Sequence, residues 1–185
     1  MNTRKSINAD NTKELELLKC GDLVLLDGFI ITGRDAAHKR IFELTKRNMP
    51  LPFKIKDQLI YYTGPCPSPP GHVIGSCGPT TSSRMDAYTP ELLDLGLKGM
   101  IGKGPRSKQV IDSIKKNKAI YFAATGGAGA LIASCVKGCS LIAFDDLGPE
   151  AVYKLYVEQF PLIVAIDSRG NSIYDSNAVP YDATK

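Results

Sequence analysis

Between residues 119 and 166 short apolar runs alternate with segments of helical character, and this alternation constrains the fold more than any other feature. Ala119–Ala124, Ser140–Phe144 and Leu162–Ile166 are brief, β-branched or aromatic and bounded by turn residues, so they read as buried strands; Gly129–Val136 and Pro149–Val157 between them read as helices. Strands separated by helices predict a sheet with crossover connections. Upstream, Asp22–Thr32 is β-rich and interrupted by Asp27-Gly28, a hairpin-type turn signal. The expected fold is therefore α/β: one domain with a helix-covered sheet and a second β layer.

Other segments complete the outline. Arg34 opens a helix with Ala36, Ala37, Ile41 and Leu44 on its packed face, ended by Asn48–Pro52. Leu59–Tyr62 and His72–Gly75 read as strands, with a stiff Gly-Pro-Cys-Pro-Ser-Pro-Pro-Gly loop after the first, and Gly99–Ile101 carries the chain to Lys103. Thr89 caps a short helix with Pro90 at its first position, and Arg106–Lys116 is amphipathic. Residues 1–13 are polar and read as a loose arm ahead of a domain spanning 14–185.

Composition excludes several classes. With 43% hydrophobic and 23% charged residues the chain has ordinary globular composition. No apolar run approaches the roughly 20 residues that span a bilayer, and Met-Asn-Thr-Arg-Lys-Ser has no apolar segment behind it, so no membrane is expected and the expected location is cytoplasmic. The net charge of +4 is carried by scattered cations, which argues against nucleic acid as a partner. Five cysteines, none in a Cys-x-x-Cys pair, read as reduced thiols; Cys135 and Cys139 lack the further ligands of a metal site, and Cys77 reads as a small buried residue beside the hydroxyl block.

The chemistry concentrates in two blocks. Gly78–Asp86 places the hydroxyls of Thr80, Thr81, Ser82 and Ser83 before Arg84, and Gly102–Ser107 sets Lys103 between two glycines. A guanidinium fork suits a carboxylate, and a lysine between glycines can approach a small anion closely. Gly126-Gly127-Ala128-Gly129 follows a strand as a dinucleotide fingerprint would, but the third glycine position is Ile132; Gly102-Lys103 lacks the Walker pattern.

Gly78–Asp86, Gly33–Arg40, Gly102–Gly104 and Leu147–Ala151 together resemble the β subunit of class I, iron–sulfur fumarate hydratase and of the related L-tartrate dehydratase, over about residues 21–174. The resemblance implies a three-layer β/β/α swivelling domain, acting as the separate small subunit of a hydro-lyase that interconverts fumarate and L-malate. It implies a [4Fe–4S] cluster held by a large α subunit and not by this chain, with the cluster's open iron as Lewis acid, in a heterotetramer of two α and two β subunits. Onto this sequence it carries Thr80, with Thr81 alongside, as the proton-transfer group, and Arg34, Arg84 and Lys103 as clamps on the dicarboxylate. Asp35, His38 and Asp86 are candidates for orienting the arginines. Two alternatives stay open: the tartrate dehydratase β subunit, and a stand-alone anion- or nucleotide-binding module.

Overall fold

In the computed structural model, which describes residues 4–175, the chain runs through strand β1 (Lys5–Asn8), helix α1 (Thr12–Leu17), strand β2 (Leu23–Thr32), helix α2 (Asp35–Lys46) and strand β3 (Leu59–Tyr61). It continues through a 3-10 turn (Ser82–Met85), α3 (Thr89–Asp94), β4 (Gly99–Gly102), α4 (Lys108–Asn117), β5 (Ile120–Ala123), α5 (Gly129–Cys135), β6 (Val136–Ala143), a second 3-10 turn (Asp145–Glu150) and β7 (Val152–Ile166).

Strands β2, β3, β4 and β5 lie side by side and parallel. Their register explains why the molecule has two cores. Ile31, Ile60, Met100 and Tyr121 stand in one row across the four strands, and Tyr61, Ile101 and Phe122 stand in the next. Because side chains alternate between faces, the first row meets Ala37 and Ile41 of α2, Leu92 and Leu93 of α3, and Val110 and Ile114 of α4. The second row packs against Leu155, Val157, Phe160, Leu162 and Val164 of β7 and Ile132 of α5. Phe122 and Phe160 are fully buried, and removing each such side chain from water contributes about 1.5–3 kcal/mol.

Strand β7 is 15 residues long and pairs antiparallel with β6, then β2, then β5. By joining β2 to β5 it closes the strands into a ring through β3 and β4. The described residues thus form one α/β domain.

Several sequence expectations are corrected. The supposed arm contains β1, parallel to β2, with Ile7 and Ala9 buried in the core. Polar sequence misled because β1 is an edge strand whose other residues are exposed. Asp27-Gly28 is no hairpin: β2 runs straight through it with a bulge, Gly28 taking φ +107° while Asp27 Oδ1 accepts from Gln159 N–H at 2.8 Å. The segment read as a helix over Pro149–Val157 is the end of the second 3-10 turn followed from Val152 by β7, where Val152, Leu155 and Val157 fill the core. His72–Gly75 forms no strand. Thr89 does not cap α3; its hydroxyl donates to the Met85 carbonyl at 2.9 Å.

Candidate active site

The C-terminal ends of the four parallel strands lie at one edge of the closed ring, so the loops that follow them gather there. Arg34 follows β2 after one glycine, Lys103 follows β4 directly, and Gly126 lies just beyond β5. The hydroxyl block is pinned across this edge by its backbone. Thr80 N–H donates to the Tyr62 carbonyl at 2.8 Å, just past β3, and Ser82 N–H donates to the Lys103 carbonyl at 2.9 Å. Thr81 and Lys103 form an isolated parallel bridge. That close approach requires Gly102, since a Cβ there would overlap Ser82 Oγ and lie 2.8 Å from the Tyr62 ring. Ser82 is held further by Tyr121, whose hydroxyl bonds Ser82 Oγ and the Gly104 carbonyl, each at 2.8 Å.

Asp35 ties the two arginines together. Its Oδ1 lies 2.8 Å from Arg84 Nε and its Oδ2 3.2 Å from Arg34 Nε. Arg34 Nε is also 3.4 Å from Glu150 Oε1. Both guanidiniums are therefore held by their inner nitrogens, and among the described residues their terminal nitrogens donate to no protein acceptor. Arg34 is half-buried and Arg84 exposed. Lys103 is exposed, and its Nζ is 3.9 Å from where a side chain at Gly126 would begin, so the glycine leaves the ammonium room. Neither Thr80 nor Thr81 spends its hydroxyl on capping the following 3-10 turn.

The family model described as Fumarase C-terminus matches residues 1–177. The chain belongs to that family. It is 40% identical over 164 residues to fumarate hydratase 2 of Leishmania major, a match covering 88% of this chain and 29% of that protein. It is 41% identical over 151 residues to the aerobic class I fumarate hydratase of Escherichia coli K12, covering 80% of this chain and 28% of that protein. A Methanocaldococcus jannaschii protein, named provisionally as an L(+)-tartrate dehydratase subunit beta, is 42% identical over 176 residues, covering 92% of this chain and 90% of its own length. The chain thus spans less than a third of those two fumarate hydratases and nearly all of the subunit.

The supporting residues expected of a fumarase C-terminus divide. Asp35 belongs to the arginine pair. His38 does not: it is fully buried, its Nδ1 is 3.0 Å from the Arg34 carbonyl, and its ring packs edge-on against Tyr62. Burial above all, with the Arg106 charge adding to it, pushes its pKa down to about 4, so it is neutral at pH 7. Asp86 turns away from Arg84 and pairs with the buried Arg106, Oδ1 to Nε at 2.7 Å, while its Oδ2 accepts from Ser107 N–H at 2.6 Å. Arg106 also donates to Thr89 Oγ1 at 2.7 Å and lies over the rings of Tyr62 and Tyr121. This pair anchors the Lys103 loop from beneath.

The cysteines do not fit a cluster. Iron–sulfur ligation needs thiolates gathered around the metal. Among the described residues no three of His, Cys, Asp and Glu are grouped to hold a metal ion. Burial, reinforced by the neighbouring cysteines, pushes the Cys77 thiol up to about 12, and burial also raises Cys135 and Cys139.

Sequence reasoning missed Glu150, whose Oε2 accepts from Ala36 N–H at 2.7 Å in the first turn of α2. The Gly-Pro before it was a usable turn signal, obscured by reading the segment as a helix start. Thr81, Arg84 and Lys103 are exposed. An apolar hollow of about 420 Å³ is lined in part by Cys66, Val73, Cys139, Pro149 and Tyr153.

Proposed function

We propose that this chain is the β subunit of an iron–sulfur-dependent hydro-lyase that interconverts fumarate and L-malate. The observation that carries the reading is the pair of guanidiniums anchored through Nε on a shared carboxylate, beside Lys103 and the hydroxyl block at one sheet edge. A small dianion needs cations for both of its ends. Arg34 and Arg84, with their terminal nitrogens unspent, offer planar forks for carboxylate oxygens, and Lys103 offers a compact charge. As the C–H beside a carboxylate is deprotonated, charge grows on that carboxylate, and these cations stabilise it more than they stabilise the ground state. Thr80 takes the proton. A neutral threonine is a weak base, so its alkoxide must be supported by the same cations.

The Lewis acid for the hydroxyl, a [4Fe–4S] cluster in this reading, belongs to a large α subunit, since the cysteines here do not suit a cluster. The exposure of Thr81, Arg84 and Lys103 suits a half-site that a partner covers. The two cores, one between strand layers and one beneath helices, suit a β/β/α swivelling domain, and the assembly is a heterotetramer of two α and two β subunits.

A second reading, the β subunit of L-tartrate dehydratase, is favoured by the near full-length match to the Methanocaldococcus protein. The test is to purify this chain and a cluster-bearing large subunit separately, mix them anaerobically, and assay L-malate and L-tartrate. Turnover of malate only on mixing is expected. Tartrate turnover selects the second reading, and activity of this chain alone sinks both.

A further inference from the structure

The reading above leaves the 3-10 turn Asp145–Glu150 without a role, yet that turn is built with unusual care. Gly148 takes φ 55° and ψ −121°, a backbone region essentially restricted to glycine, although a side chain there would meet nothing within 4 Å. The requirement is therefore conformational. The turn is tied to α2 by Arg40, whose Nη1 and Nη2 donate to the two oxygens of Asp146 at 2.6 and 2.8 Å. It is tied to β7 by Tyr153, whose hydroxyl donates to the Gly148 carbonyl at 3.1 Å, and the Pro149 carbonyl sits 3.1 Å from where a side chain at Gly64 would begin. The product of these constraints is the position of one carboxylate. Glu150 Oε2 accepts from Ala36 N–H at 2.7 Å, and Oε1 lies 3.4 Å from Arg34 Nε.

We infer that Glu150 is a positioning residue of the substrate clamp: one oxygen fixes the start of α2 and the other orients the guanidinium of Arg34. Arg34 occupies the cap position of α2 but makes no side-chain cap bond, so a group from elsewhere must serve the free N–H groups there. A carboxylate suits both tasks, because a helix start and a guanidinium each favour negative charge. With Asp35 and Glu150 both near Nε, Arg34 is held in one place and loses less freedom when a carboxylate arrives.

This inference rests on the hydro-lyase reading, and a double-mutant cycle in the assembled enzyme tests it. Glu150→Gln keeps an acceptor for Ala36 N–H and removes the charge facing Arg34. Expected is a loss of about tenfold in kcat/KM in the wild-type background and under about twofold in an Arg34→Ala background, because the effect passes through Arg34. Equal losses in both backgrounds, or none in the first, overturn it. Should Glu150→Ala fail to fold, Glu150→Gln still completes the cycle. An assembled wild-type enzyme inactive on both malate and tartrate overturns the hydro-lyase reading itself, an outcome distinct from the others because they require an active wild type.

Discussion

Asp35 Oδ1 lies 2.8 Å from Arg84 Nε, so the first residue of α2 pairs with an arginine carried by a different loop. The same carboxylate reaches Arg34 through its other oxygen at 3.2 Å. One side chain thereby sets the spacing of two guanidiniums that would otherwise swing independently.

Replacing Arg84 by lysine should lower kcat/KM on malate in the assembled enzyme by about tenfold to a hundredfold, since an ammonium cannot reproduce a bidentate fork. Asp35→Asn should lose less, because both arginines keep their charge. Near-normal kinetics for Arg84→Lys would make Arg84 an ordinary surface cation.

His38 makes stability depend on acid. Its folded pKa of about 4 lies below the unfolded value near 6.5, so the unfolded chain binds the extra proton between those limits. Its contribution is complete above pH 6.5 and is lost as pH falls towards 4, by about 3 kcal/mol in all. His38→Phe should flatten that part of the unfolding free energy measured in urea at several pH values; an unchanged slope would exclude His38 as its source.

Asp86 and Arg106 should behave as structure rather than chemistry. The Arg106 side chain has no exposed surface, and removing Asp86 leaves its charge buried without a carboxylate. Asp86→Ala should cost about 3–5 kcal/mol in denaturant unfolding, the range for breaking a buried pair. A cost below about 1 kcal/mol, the scale of an exposed pair, would show the site to be solvated.

Much of this was legible because strand and helix periods survive in the sequence wherever a segment packs on one side. Arg34 and Lys103 could be placed at junctions because a glycine and an apolar run flank each. Asp86 was misassigned because proximity in sequence favoured Arg84, whereas the pairing that wins joins residues 20 apart across two loops. The β7 segment was misread because its buried residues Val152, Leu155, Val157 and Phe160 are unevenly spaced along a strand whose pairing with β2 and β6 is broken by bulges, so no clean period-2 alternation stands against a helical pattern. The block Leu147–Ala151 carried the resemblance, but the role of Glu150 within it was not legible, because its partners lie 114 and more residues away and only the fold brings them together.

Gly102 is a backbone requirement of the site. A methyl group there would overlap Ser82 Oγ and crowd the Tyr62 ring, pushing the hydroxyl block away from β4. Gly102→Ala should destabilise the chain by about 1–3 kcal/mol, the usual cost of overpacking, and reduce turnover per folded molecule. Full activity with unchanged melting would mean that the block tolerates displacement.

Thr80 separates chemistry from folding most cleanly. Its backbone N–H is already committed to the Tyr62 carbonyl and its hydroxyl caps nothing, so Thr80→Val keeps the shape and the backbone bond while removing only the oxygen. If that oxygen handles the proton, kcat in the assembled enzyme should fall by about two decades or more, the scale of losing a general base, with KM changed little. The melting temperature should stay close to that of the wild type, because among the described residues the Thr80 hydroxyl makes no hydrogen bond to lose. The opposite pattern, a lower melting temperature with kcat per folded molecule intact, would assign the hydroxyl to the fold and move the proton-transfer role to Thr81, whose own valine variant would then have to show the loss.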